Sequence, residues 1–67
     1  MAKVMLNGEI LTVPNRTRLI DLLRSQDEPY EAGLVELNKT LVRKQDLAQA
    51  VLVDGDEIEV ILPAFGG

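Results

Sequence analysis

The first thirteen residues place two short β-prone runs either side of Asn7-Gly8, with Val4, Leu6, Leu11 and Val13 on one face and Met5 and Ile10 on the other. A dipeptide that tolerates positive φ between two such runs predicts a tight type I′ hairpin. Pro14 cannot donate to a ladder and closes the second strand, and Thr17 is the expected N-cap of a helix over residues 18–26. In that stretch Leu19, Leu22 and Leu23 recur at the spacing of one buried face, while Arg18, Asp21 and Arg24 can stay in water. Residues 26–33 turn polar, with Pro29 and Gly33 as breakers, and read as a loop. A third strand follows over 34–38, then a turn at Asn38-Lys39 and a very short fourth strand at Leu41-Val42. Leu47, Ala50 and Val51 sit at helical spacing and predict a single helical turn over 45–51. Asp54-Gly55-Asp56 is a turn, and residues 57–62 alternate as a final strand with Ile58, Val60 and Leu62 inward, ended by Pro63.

These elements predict an α+β domain: one mixed sheet covered by a helix on one side and by solvent or a partner on the other. If Val4, Leu6, Leu11 and Val13 face the helix, Met5, Ile10, Leu34 and Ile61 fall on the opposite face, among Glu36 and Glu59. They form either a partner-docking surface or apolar residues scattered singly, which is normal on protein surfaces.

Composition narrows the chemistry. The chain has 67 residues, 46% hydrophobic and 27% charged, with no His, Cys or Trp and a net charge of −4. One domain of this length removes only about 60% of its unfolded surface from water, leaving little interior for an enclosed active site. Without imidazole or thiol, the usual zinc sites, general bases and thiolate nucleophiles lack their groups. The seven basic residues never run longer than Arg43-Lys44, so nucleic acid is a poor partner. The N-terminal stretch is too broken by polar residues for a signal peptide or a membrane span, and a cytoplasmic location is the default expectation. Asp54, Asp56 and Glu57 lack the spacing of a calcium loop and suit a turn. Asp27, Glu28 and Glu31 form a loose acidic patch, either a solvated loop or a dock for a basic partner, and Tyr30 is expected to lie against the domain.

The C-terminal residues Pro63, Ala64, Phe65, Gly66 and Gly67 leave two readings open: a frayed end, or a probe for another protein's active site. Five extended residues reach about 16–18 Å. The two glycines carry no Cβ to clash in a narrow channel. A terminal carboxylate, with an ordinary pKa of about 3.5, is ionised at neutral pH and a poor electrophile, so it needs activation before it can react.

Taken together, Leu6-Asn7-Gly8-Glu9, Val13-Pro14 followed by Thr17, Asp21-Leu22-Leu23, Glu36-Leu37-Asn38, the block over residues 53–60 and the terminal Gly66-Gly67 resemble the ubiquitin-like sulfur carriers, most closely the ThiS type of thiamine-thiazole synthesis. The resemblance implies a β-grasp fold over residues 1–62 and a flexible diglycine tail over 63–67. It implies a carrier rather than an enzyme, with no bound cofactor. A ThiF/MoeB-like adenylyltransferase would use ATP to activate the Gly67 carboxylate. A persulfide donor would convert the adenylate to a thiocarboxylate, and a ThiG-like thiazole synthase would take the sulfur. Phe65, Gly66 and Gly67 would enter the partner's active site. Pro63 and Phe65 also resemble the MoaD-type carriers of molybdopterin synthesis. A ubiquitin-like protein modifier is a further alternative.

Overall fold

The computed structural model describes residues 1–63. In chain order these form β1 (Ala2–Leu6), β2 (Glu9–Val13), α1 (Leu19–Ser25), β3 (Leu34–Leu37), β4 (Thr40–Val42) and β5 (Glu57–Ile61), with single 3₁₀ turns at Tyr30–Ala32 and Lys44–Asp46. The strands make one sheet in the order β2-β1-β5-β3-β4. β1 and β5 run parallel, and the other neighbours are antiparallel. The last strand is therefore the central one.

Both hairpins follow from residues that accept positive φ. Asn7 (φ 50°) and Gly8 (φ 84°) join Leu6 to its partner Glu9, as a type I′ turn requires. Asn38 (φ 52°) and Lys39 (φ 66°) do the same between Leu37 and Thr40, with a lysine where glycine would be relaxed.

The core lies between the sheet and α1. Ala2, Val4, Leu6 and Val13 from the first hairpin meet Leu19, Leu22 and Leu23 of the helix, with Val35, Ile58, Leu47 and Leu52 completing the cluster. Leu11 packs against it only partly buried.

The helix begins differently from the sequence expectation. Thr17 does not cap it: its hydroxyl donates to the Pro14 carbonyl at 2.6 Å, and Arg18 occupies the N-cap position without a side-chain capping bond, its guanidinium donating instead to the Ala48 carbonyl at 3.3 Å. The unpaired first-turn donors go instead to the chain passing above, Leu19 N–H to the Ala50 carbonyl at 2.8 Å and Ile20 N–H to that of Leu47 at 3.1 Å. The helix leaves by a Schellman motif, with Asp27 N–H bonded to the Arg24 carbonyl and Glu28 N–H to that of Leu23. Asp27 holds the left-handed position at φ 54°.

Two further expectations are corrected. The helical turn over 45–51 is shorter, a 3₁₀ turn at Lys44–Asp46, and Val51 is exposed because it bridges to Arg18 as an extended residue. Leu52, whose N–H donates to the Thr17 carbonyl at 2.8 Å, is the buried residue of that segment. Leu62 does not continue the inward alternation: β5 stops at Ile61 and Leu62 is 51% exposed. The polar loop before β3 carries a 3₁₀ turn that the breakers alone do not signal.

Candidate functional site: the end of the central strand and the open face

The chain leaves the sheet from its middle. Ile61 pairs with Leu34, so the end of β5 lies beside the start of β3 and the turn before it. Gly33 is the reason the two segments can meet. A Cβ there would stand 2.4 Å from the Ile61 carbonyl oxygen and 2.9 Å from a Leu62 methyl, so any side chain would push the exit aside. Gly33, Leu34, Lys44, Ile61 and Pro63 line a shallow depression at this point. The Lys44 ammonium donates to the Glu31 carbonyl at its rim.

β5 outruns its parallel neighbour, since β1 pairs only Met5 with Glu57 and Leu6 with Ile58. Beyond that point Asn7 takes over from the backbone. Its N–H donates to the Ile58 carbonyl at 2.9 Å, and its side-chain Oδ1 accepts the Val60 N–H at 2.9 Å. The Asn7 amide nitrogen donates in turn to Glu28 Oε1 at 3.1 Å, tying the hairpin to the loop after α1.

The start of β5 is fixed by a second set of side chains. Asp56, only 7% exposed, accepts the Asn38 amide at 2.9 Å and the Val53 N–H at 2.8 Å on its two carboxylate oxygens. Asn38 Oδ1 accepts the Glu57 N–H at 2.9 Å, and Asp54 accepts the Lys3 N–H at 2.8 Å. The Asp54-Gly55-Asp56 carboxylates thus serve as acceptors for backbone amides in a turn with Gly55 at φ 90°. Among the described residues no group of three His, Cys, Asp or Glu side chains is placed to hold a metal ion.

The register puts Met5, Ile10, Leu34 and Ile61 on the face away from the helix, but in two pairs rather than one patch. Met5 is half-buried opposite Ile10, which is 61% exposed; across the sheet Leu34 at 54% faces Ile61 at 39%. Glu57 and Glu59 of β5 lie on the same face between them, with Glu59 directly opposite Glu36, a like-charge pair that opposes folding. Leu41, paired with Glu36 and 54% exposed, extends the second pair. Sequence alternation did not single it out because its strand was read from only two residues.

In the acidic loop, Tyr30 lies half-buried and its hydroxyl accepts Arg24 Nε at 3.2 Å. That hydrogen bond is the main cause of a guanidinium pKa raised above its ordinary value, and Arg24 stays cationic. Phe65, Gly66 and Gly67 lie outside the described residues. No helix among the described residues is long and apolar enough to cross a membrane.

Sequence reasoning missed the side-chain roles of Asn7 and Asn38 and the close-approach role of Gly33. The first two read as turn formers, and their second role depends on β5 arriving from the far end of the chain. Gly33 read as a loop breaker, although its φ is extended and its need is for close approach.

Comparison with known proteins gives one family. The sequence profile of the ThiS family matches residues 3–67. The fold is similar to the crystal structure of a thiamine biosynthesis protein (ThiS) from Geobacter metallireducens, 25% identical, with a TM-score of 0.82 and 97% of this chain covered against 99% of that one. It is also similar to an NMR solution structure of a thiamine biosynthesis protein from the same organism, at 25% identity and TM-score 0.72, covering 97% of this chain and 87% of that one. No curated protein matches the sequence significantly.

Proposed function

The chain belongs to the ThiS family, and from that premise we propose that it is a sulfur carrier of thiamine biosynthesis, a co-substrate and not an enzyme. Its mixed five-stranded sheet over one helix is the β-grasp fold. Residues 1–62 are the head that partners hold, and residues 63–67 are the tail that reacts. A ThiF/MoeB-like adenylyltransferase uses ATP to join AMP to the Gly67 carboxylate through a mixed anhydride. A persulfide sulfur displaces AMP to give an acyl disulfide, a second thiol of the donor system attacks its S–S bond to form a disulfide and free the thiocarboxylate, and this gives its sulfur to a ThiG-like thiazole synthase. The chain supplies no acid or base to these steps, in keeping with the absence of His and Cys from its sequence. Phe65, Gly66 and Gly67 enter the partner's active site, and Met5, Ile10, Leu34 and Ile61 contribute apolar contacts when the open face is covered.

The observation that carries this reading is the family match, which runs from residue 3 through the terminal diglycine. The position of β5 supports it, since a chain leaving the middle of the sheet issues from the best-anchored strand.

The test is an intact-mass measurement after incubation with the adenylyltransferase, ATP and a persulfide donor. One oxygen should be exchanged for sulfur on the C-terminal peptide, and the product should then support thiazole formation by a ThiG-like synthase. Deleting Gly66 and Gly67 should abolish the exchange and leave the melting temperature unchanged. An unmodified chain, conjugates to lysines of other proteins, or transfer only to a molybdopterin precursor would each overturn the assignment.

A further inference from the structure

Three asparagines lie in turns, but only Asn7 is followed by glycine; Asn15 precedes Arg16 and Asn38 precedes Lys39. Asn7 and Gly8 are both exposed, and nothing stands within 4 Å of the place a Cβ on Gly8 would occupy. No side chain on Gly8 shields the turn. The Asn7 carboxamide is engaged by a pair of hydrogen bonds, Val60 N–H to Oδ1 at 2.9 Å and Nδ2 to Glu28 Oε1 at 3.1 Å. Both partners lie outside the hairpin, on β5 and on the loop after α1. Closing a ring onto Gly8 requires Cγ to swing away from both.

We propose that the Asn7-Gly8 turn is a latent self-modification site, at which Asn7 deamidates at a rate set by release of its carboxamide contacts to Glu28 and Val60. The Gly8 backbone nitrogen, having given its proton to water, attacks Asn7 Cγ. The new C–N bond forms as the Cγ–Nδ2 bond breaks, and ammonia leaves with a proton returned from water. Water then adds to either carbonyl of the cyclic imide, giving aspartate or isoaspartate at position 7. The sum is amide plus water to acid plus ammonia, with no redox partner.

The product cannot restore both original contacts. A carboxylate in place of the amide offers no donor to Glu28 and sets two negative charges against each other. Isoaspartate also lengthens the backbone of a two-residue turn, displacing the Leu6 to Glu9 pairing. An aspartate oxygen can still accept the Val60 N–H, whereas the isoaspartate linkage shifts the free carboxylate relative to Val60, in the strand that leads to the terminus. The reaction therefore marks a chain whose Asn7 carboxamide has come free of β5 and of the loop after α1.

The test is the rate of mass gain at 37 °C and pH 8 for the full chain and for Glu28→Ala and Glu28→Gln, with peptide mapping of isoaspartate. Removing one hydrogen bond of about 1 kcal/mol should accelerate the reaction about fivefold in Glu28→Ala. Glu28→Gln, which keeps an oxygen acceptor, should stay near the parent rate. The same measurement in denaturing urea removes any difference in stability and should bring all three chains to one fast rate. Equal rates in the three folded chains, no gain at position 7, or a gain mapped to Asn15 or Asn38 would overturn the proposal.

Discussion

Besides the asparagines, three non-glycine residues among those described sit in the left-handed region, Arg16 (φ 68°), Lys39 (φ 66°) and Asp27 (φ 54°). Lys39 lies in the second hairpin turn and Asp27 at the end of α1, and each costs about 1 kcal/mol relative to glycine there. Part of that gain is offset by the greater freedom of glycine in the unfolded chain. Lys39→Gly and Asp27→Gly should each raise stability by no more than about 0.6 kcal/mol, read as a slightly higher urea midpoint with unchanged slope. Gly33 is the opposite case. Gly33→Ala would put a methyl against the Ile61 carbonyl, and should lower stability by about 1–3 kcal/mol as β3 and the end of β5 separate. On the proposed function it should also slow sulfur acceptance although Gly66 and Gly67 are untouched, measured as the initial rate of the oxygen-to-sulfur exchange.

Among the elements, the segment between β4 and β5 is the one whose importance its sequence least declares. It contributes Leu47 and Leu52 to the core and supplies the carbonyls that satisfy the first turn of α1. Leu52→Ala should cost about 2–5 kcal/mol. A domain of this size has roughly 3–10 kcal/mol in all, so the melting transition should fall steeply or disappear. The regular elements were legible because each is encoded locally: parity and Asn7-Gly8 specify the first hairpin, and Leu19, Leu22 and Leu23 specify the buried face of α1. The cap of α1 was not legible, because its acceptors, Leu47 and Ala50, lie some thirty residues away and act through backbone atoms that any residue type carries. Val51 and Leu52 were exchanged for the same reason, since helical spacing was extended into a stretch that is extended in space. On the open face, alternation placed the apolar residues correctly on one side, whereas their division into two pairs by Glu57 and Glu59 depends on strand order, which parity does not encode.

At the scale of the whole molecule, stability is distributed from the centre outward. β5 is hydrogen-bonded on both sides and further held by Asn7 and Asn38, while β2 and β4 are edges with one neighbour each. Amide exchange should reflect this: Ile58 should exchange only through global unfolding, whereas Thr40 and Leu41 should exchange earlier through local opening. Exchange of Ile58 as fast as that of Leu41 would show that the centre frays. The arrangement also has a mechanical consequence. A partner that grips the terminus and draws on it loads the central strand in shear, across two ladders at once, so the head gives up no slack to lengthen the reach. On the proposed function, the span between the docked head and the reacting end would then be set by the covalent chain beyond Ile61, in the manner of a ruler fixed at its zero mark.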